Sequence, residues 1–142
     1  MALKESRVWQ GTFTLGPAPD GQTFTCQATN IHVTPNVSDD GNAIKTACGE
    51  EYPAPKKIDW VIGGTSVQDF DDPTGFLAFC YDNELVELEC SWLPNDVGAP
   101  EWSGTVIIVP VEEGGDAGTR ITTDWEFDWV GKPDRVYAAP PP

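Results

Sequence analysis

The chain has 142 residues, of which 39% are hydrophobic, and it carries six Trp, six Phe and three Tyr. That length suits one domain with a substantial core, and the aromatic content supplies apolar area that disordered chains lack. A formal charge of −15 excludes a surface that grips phosphate backbones or anionic membranes, although such a chain can enclose DNA without holding it.

Residues 7–15 predict a first strand with Val8, Phe13 and Leu15 as its apolar points. Residues 16–21, GPAPDG, predict a turn. A second strand spans 22–34, where Phe24, Cys26 and Ala28 share one face and Ile31 and Val33 take the other parity. That change of phase predicts a bulge near Thr29-Asn30. Residues 35–57 are the longest polar interval and are expected to project as a loop or an extended hairpin. Asp39, Asp40, Glu50, Glu51 and Tyr52 within it are candidates for contact with a neighbouring molecule.

Residues 58–70 predict a strand with Ile58, Trp60 and Ile62 on one face, and Gly63-Gly64 suggest a bulge or bend in it. A helix of about ten residues should follow, with Asp72 as its cap and Pro73 in the first position, where no amide is needed. Residues 85–92 alternate, with Val86, Leu88, Cys90 and Trp92 on one face and Glu87, Glu89 and Ser91 on the other. Residues 102–111 are apolar on both faces, which fits a strand covered on both sides. Placed at a sheet edge, such a run leaves apolar surface that a partner must shield, so the chain reads as a subunit. The last strand, 119–130, alternates best: Ile121, Thr123, Trp125, Phe127 and Trp129 against Thr122, Asp124, Glu126 and Asp128. The expected fold is mainly β, a β-sandwich or partly open barrel of about six strands with one flanking α-helix. Residues 1–133 form its single domain, and 134–142 a Pro-rich C-terminal tail.

Catalytic constellations are poorly supplied, and no enzyme is expected. His32, the single histidine, lies inside a predicted strand with no neighbouring nucleophile. No phosphate-binding glycine loop, nucleophile elbow or zinc-protease motif is present. Cys26, Cys48, Cys80 and Cys90 contain no C-x-x-C pair and are expected to be small buried apolar side chains rather than disulfides or zinc ligands. Neither a metal nor a cofactor is expected. Asn36-Val37-Ser38 matches a glycosylation triplet, which carries weight only in a secreted chain. No apolar run reaches the ~20 residues of a membrane span, and MALKESRVWQ has no apolar signal core, so the expected site of synthesis is the cytosol.

Taken in order, Trp60 to Thr65, Gln68 to Phe70, Gly75 to Phe79, Asp82-Asn83, Pro100 to Val106 and Trp125 to Pro133 resemble the major tail tube proteins of bacteriophages with long non-contractile tails, especially those of actinobacterial hosts. The resemblance covers roughly residues 56–133. It implies a virion protein, assembled in the host cytoplasm, whose hexameric rings stack into a tube around a tape measure protein. Tail terminator and tail tip proteins are its implied partners, and genomic DNA passes through the bore without tight binding. It carries no catalytic residue. On this reading the strands 22–34, 58–70, 102–111 and 119–130 build the inner barrel, with Asp124, Glu126 and Asp128 facing the bore. Glu87 and Glu89 compete for that role. Two rivals remain: a carbohydrate-binding β-sandwich, virion-borne or secreted, using Trp9, Trp92, Trp102 or Trp125, and the tube protein of a contractile secretion system.

Overall fold

A computed structural model describes residues 6–8, 10–16, 21–96 and 98–137, without the side chains of Gln10 and Cys26. Trp9, most of the predicted 16–21 turn, the Cys26 side chain and the proline-rich residues 138–142 lie outside the described residues. Ten strands appear rather than six: β1 (Gln10–Leu15), β2 (Gln22–Thr23), β3 (Ala28–Asp39), β4 (Ile44–Lys45), β5 (Glu51–Tyr52), β6 (Lys56–Val67), β7 (Glu87–Asn95), β8 (Glu101–Ile107), β9 (Thr122–Trp129) and β10 (Asp134–Val136). The helix α1 is Phe76–Asp82. Eight strands form one antiparallel sheet in the order β2-β1-β7-β8-β9-β6-β3, with β10 beside β8, while β4 and β5 make a separate ribbon.

The sheet curls back on itself. β1 and β9 have two strands between them, which in a flat sheet would separate them by about 14 Å. Yet the rings of Phe13 and Trp125 lie 5.2 Å apart. The fold line is the junction of β8 and β9, where the ladder has only the pairs Val106↔Trp129 and Ile107↔Asp128. A 3-10 turn, Thr25–Gln27, bridges the open seam by accepting the Phe13 amide on Thr25 Oγ1. Between the two halves sit Phe13, Leu15, Ile62, Trp92, Val106, Trp125, Phe127 and Trp129. The expected β-sandwich or partly open barrel is therefore the observed architecture, mainly β with one flanking helix.

The bulge at the start of β3 is present: the register shifts between Ala28 and Asn30, splitting the expected 22–34 strand from β2. Gly63-Gly64 make no bend. β6 continues through both residues, paired to β3 on one side and β9 on the other. The glycines instead allow close approach, because a Cβ on Gly64 would lie 2.0 Å from the Asn30 carbonyl oxygen.

Two expectations about α1 and β8 need correction. Asp72 and Pro73 do not begin the helix; Gly75 is the capping position, and no side chain of that residue caps it. The Asp72 carboxylate closes a turn first, accepting the Thr74 amide at 2.9 Å and the Thr74 hydroxyl at 2.8 Å. Those bonds hold its pKa below the usual 3.8. The Phe76 amide, the first within the helix, donates to Gln27 Oε1 at 2.7 Å, so the cap comes from a residue far away in sequence. The 102–111 run does not lie at an edge, since β8 runs between β7 and β9. Val106 and Ile108 are buried and Val109 is exposed. The long edge without a sheet partner among the described residues is β3. Residues 134–136, assigned to the tail by sequence, form β10 against Glu101 to Ser103.

Candidate functional site: an acidic sheet face and a projecting hairpin

β9 alternates because every second side chain must enter the core: Thr123, Trp125, Phe127 and Trp129 are buried, and Thr122, Asp124, Glu126 and Asp128 are exposed. Cross-strand partners share a face, so Asp128, Glu126 and Asp124 continue into Val61, Gly63 and Thr65 on β6. The same row reaches Thr34, His32 and Asn30 on β3. Thr65 Oγ1 donates to Asp124 Oδ1 at 2.7 Å, tying two strands together on this face. His32 is exposed there rather than inside the core.

Glu87 and Glu89 project from the other half-sheet, on the face of β7 opposite the buried Cys90 and Trp92. The two halves enclose one core between them. The two acidic faces therefore point away from each other. The structure brings Asp124, Glu126 and Asp128 together and leaves Glu87 and Glu89 apart.

α1 packs on the core side of β9. Phe76 lies 5.3 Å from Trp125 and 6.1 Å from Phe127, ring to ring, and Leu77 and Cys80 are buried with it. The Asp124–Glu126–Asp128 face is thus free of the helix.

β3 and β6 extend past the pairing of β6 with β9, which begins at Val61. Pro35 to Asp39 and Lys56 to Trp60 accordingly form a two-stranded arm, closed at its base by Trp60 against Trp102 at 6.0 Å. Asp39 and Lys56 pair near the end of the ladder. Beyond them the chain makes the β4–β5 ribbon, in which Ile44 faces Tyr52 and Lys45 faces Glu51. Asp40, Glu50, Glu51 and Tyr52 are all exposed. An open groove of about 590 Å³ lies where the arm leaves the sheet, lined in part by Asn36, Asp59, Trp60, Glu126, Asp128 and Lys132.

Gln68 has a role that sequence reading missed. Its buried amide donates to the carbonyls of Gly114 and Thr122, both at 2.9 Å, and accepts the Gly114 amide at 2.8 Å. It thereby clamps the glycine-rich 112–118 connection to the end of β9. A single glutamine after an apolar strand gives little warning of this.

Among the described residues no group of His, Cys, Asp and Glu is arranged to hold a metal, and no helix is long and apolar enough to cross a membrane. Cys80 and Cys90 are buried, and burial pushes both thiols up to about 12. Cys48, expected to be buried, is exposed at the ribbon tip because a two-residue strand has no core to enter. Of these three, only Cys48 should react with a maleimide at pH 7–8, since thiolate is the nucleophile. Mass spectrometry of the labelled native protein checks this.

No family model matches the chain, and no curated protein matches it. Solved structures do. One chain, from the virion of a native gene transfer agent particle, aligns with a TM-score of 0.54 at 14% identity, over 89% of this chain and 95% of that one. Another, from the tail of an empty gene transfer agent particle with C6 symmetry, aligns with a TM-score of 0.58 at 18% identity, over 90% and 95%. The likeness is one of fold, spans nearly the whole chain, and agrees with the resemblance carried by residues 56–133.

Proposed function

We propose that this chain is a structural protein of a phage-like tail, whose copies form hexameric rings stacked into a tube. The observation that carries the reading is a fold shared with a chain of a C6-symmetric tail, combined with the row of exposed carboxylates Asp124, Glu126 and Asp128 on one sheet face. The strands proposed for the inner barrel are consecutive in the sheet as β8-β9-β6-β3. β3 ends that row with an edge that lacks a partner among the described residues. Joining this edge to the next subunit removes an aggregation-prone surface, and six copies close the ring.

In this arrangement Asp124, Glu126 and Asp128 line the bore. They offer passing DNA no cation, and their field acts over roughly a Debye length of ~10 Å from the wall. Tape measure, tail terminator and tail tip proteins are the proposed partners. Assembly takes place in the host cytoplasm, and the chain serves as scaffold without catalysis. The arm, with Asp39, Asp40, Glu50, Glu51 and Tyr52, reaches the adjoining ring. Of the tryptophans named for sugar stacking, Trp92 and Trp125 are buried and Trp102 is half-buried, which weighs against the carbohydrate-binding alternative at those three positions.

Cryo-electron microscopy of tubes grown from the purified protein tests the assignment. The expected map places Asp124, Glu126 and Asp128 on the inner wall. A map with that face outside, and Glu87 and Glu89 inside, reverses it.

A further inference from the structure

We infer that the outer edge of β3 in one copy joins, as a parallel strand, an open edge of β9 in the next copy. The inference rests on the tail-tube reading and adds the edge that receives β3, the strand direction and the residues that meet. The open edge exists because β9 changes partner along its length. Thr122 to Asp128 pair with β6, whereas only Asp128 and Trp129 pair with β8, and the Val130 amide then donates to the Thr105 carbonyl at 2.8 Å. Residues 122–127 thus have no strand on their side away from β6 among the described residues. Antiparallel ladders bond at every second residue. The Gln68 amide donates to the Ile121 carbonyl, so Thr123, Trp125 and Phe127 bond to β6, and the backbone groups of Asp124 and Glu126 aim at the open side. The Thr122 carbonyl on that side is already taken by Gln68. On β3, the Asp40 amide donates to the Pro55 carbonyl, which by the same alternation bonds His32, Thr34 and Asn36 to β6. Ile31, Val33, Pro35 and Val37 therefore aim their backbone groups outward. Pro35 stands where a missing amide removes no bond to β6, the position that proline takes on an edge strand.

Side-chain parity selects the direction. The outward-bonding residues Ile31 and Val33 of β3 are buried and half-buried, whereas Asp124 and Glu126 of β9 are exposed. An antiparallel joint sets bonding residues opposite one another on one face, and would put Ile31 and Val33 among the carboxylates. A parallel joint sets each bonding residue opposite a non-bonding one. Ile31 and Val33 then continue the buried row of Trp125 and Phe127, and the exposed row of β3 continues that of Asp124 and Glu126. Symmetry makes the same demand. β3 and β9 both run antiparallel to β6, hence parallel to each other, and rotation about a ring axis keeps that sense between copies. A ring also needs two different, complementary surfaces on every copy, which these two edges supply. With Ile31 opposite Trp125, the Ile31 amide meets the Asp124 carbonyl and the Glu126 amide meets the Ile31 carbonyl, so His32 lies beside Glu126 of the next copy. With Val33 opposite Trp125, Pro35 ends the ladder and His32 lies beside Asp124 of the next copy.

The test is disulfide cross-linking of tubes grown from the full-length chain under reducing conditions and then oxidised with copper phenanthroline. Cys26→Ser and Cys48→Ser clear the background, and His32→Cys is combined with Glu126→Cys or with Asp124→Cys. Within one copy β6 lies between these positions, at Gly63 for His32 and Glu126, which separates their Cα atoms by about 10 Å. That exceeds the reach of a disulfide, so any bond joins two copies. One of the two combinations should give a ladder of covalent multimers up to the hexamer on a non-reducing gel. Tubes that cross-link with neither combination overturn the joint and leave the tail-tube reading standing, whereas a wild-type chain that never forms rings or tubes overturns both. Covalent dimers from His32→Cys alone show β3 pairing with itself, which also overturns the joint. Val33→Pro removes an outward amide at the parity that Pro35 already occupies. It should need about tenfold more protein to polymerise while still giving a cooperative thermal melt. A Val33→Pro chain that polymerises like wild type contradicts the proposal, and the cysteine pairs, on the exposed face, report independently of it.

Discussion

Trp125→Ala lowers the stability of the subunit by about 3–5 kcal/mol, the range for deleting a fully packed large aromatic. Its ring is 5% exposed and meets Phe13, Phe76 and Phe127 at centroid distances of 5.2, 5.3 and 5.1 Å. Those partners come from β1, α1 and β9, so this one side chain joins both halves of the curled sheet to the helix. For a domain of this size the loss corresponds to a drop of roughly 10–15 °C in Tm. Thermal melts followed by near-ultraviolet circular dichroism measure it. Trp125→Phe should cost much less, because the Trp125 indole N–H is buried without a partner among the described residues and its removal relieves an unmet donor. Equal melts for Trp125→Ala and for alanine at the half-buried Trp102 would contradict the two-sided core.

Gly64→Val should leave no folded subunit at 25 °C. The first atom of any side chain there would sit 2.0 Å from the Asn30 oxygen and 2.9 Å from its carbonyl carbon, and both are backbone atoms. Asn30 is held by the bulged register of β3 on β6, so relief requires unpairing the longest ladder in the molecule. Gly49→Ala is the control. Gly49 has a φ of +85° but no atom within 4 Å of the added Cβ, so it should lose only about 1 kcal/mol. Heteronuclear NMR spectra of the two variants distinguish a lost fold from a local adjustment.

Much of the architecture was legible because it rests on alternation. The parity of β9 and β7 fixed which residues enter the core, and the phase change at Thr29-Asn30 located the bulge. Short-range patterns also carried the acidic stripe, since Asp124, Glu126 and Asp128 must emerge together once Trp125 and Phe127 are buried. Features that depend on distant partners were not legible. The start of α1 is set by Gln27, which lies nearly fifty positions before the amide that it caps, and no local rule prefers Gly75 to Asp72. Gly63-Gly64 looked like a bend because their neighbours across the sheet were unknown. Whether the 102–111 run lay at an edge or inside the sheet was hidden for the same reason: that is a property of strand order, and hydropathy does not encode it. For the arm, polarity announced projection, whereas its strand pairing through Asp39 and Lys56 followed from contacts formed across the whole interval.

The position of β9 has a further consequence, for biogenesis. It enters between β6 and β8, two strands that a ribosome delivers earlier, and it brings Trp125, Phe127 and Trp129 with it. The β3–β6 hairpin can zip up from local sequence, but β1 must wait for β7, and the two halves cannot close until β9 threads the gap. A nascent or prematurely terminated polypeptide therefore displays an open hydrophobic cleft that chaperones and proteases recognise. Completion of translation is thus the step at which the core closes.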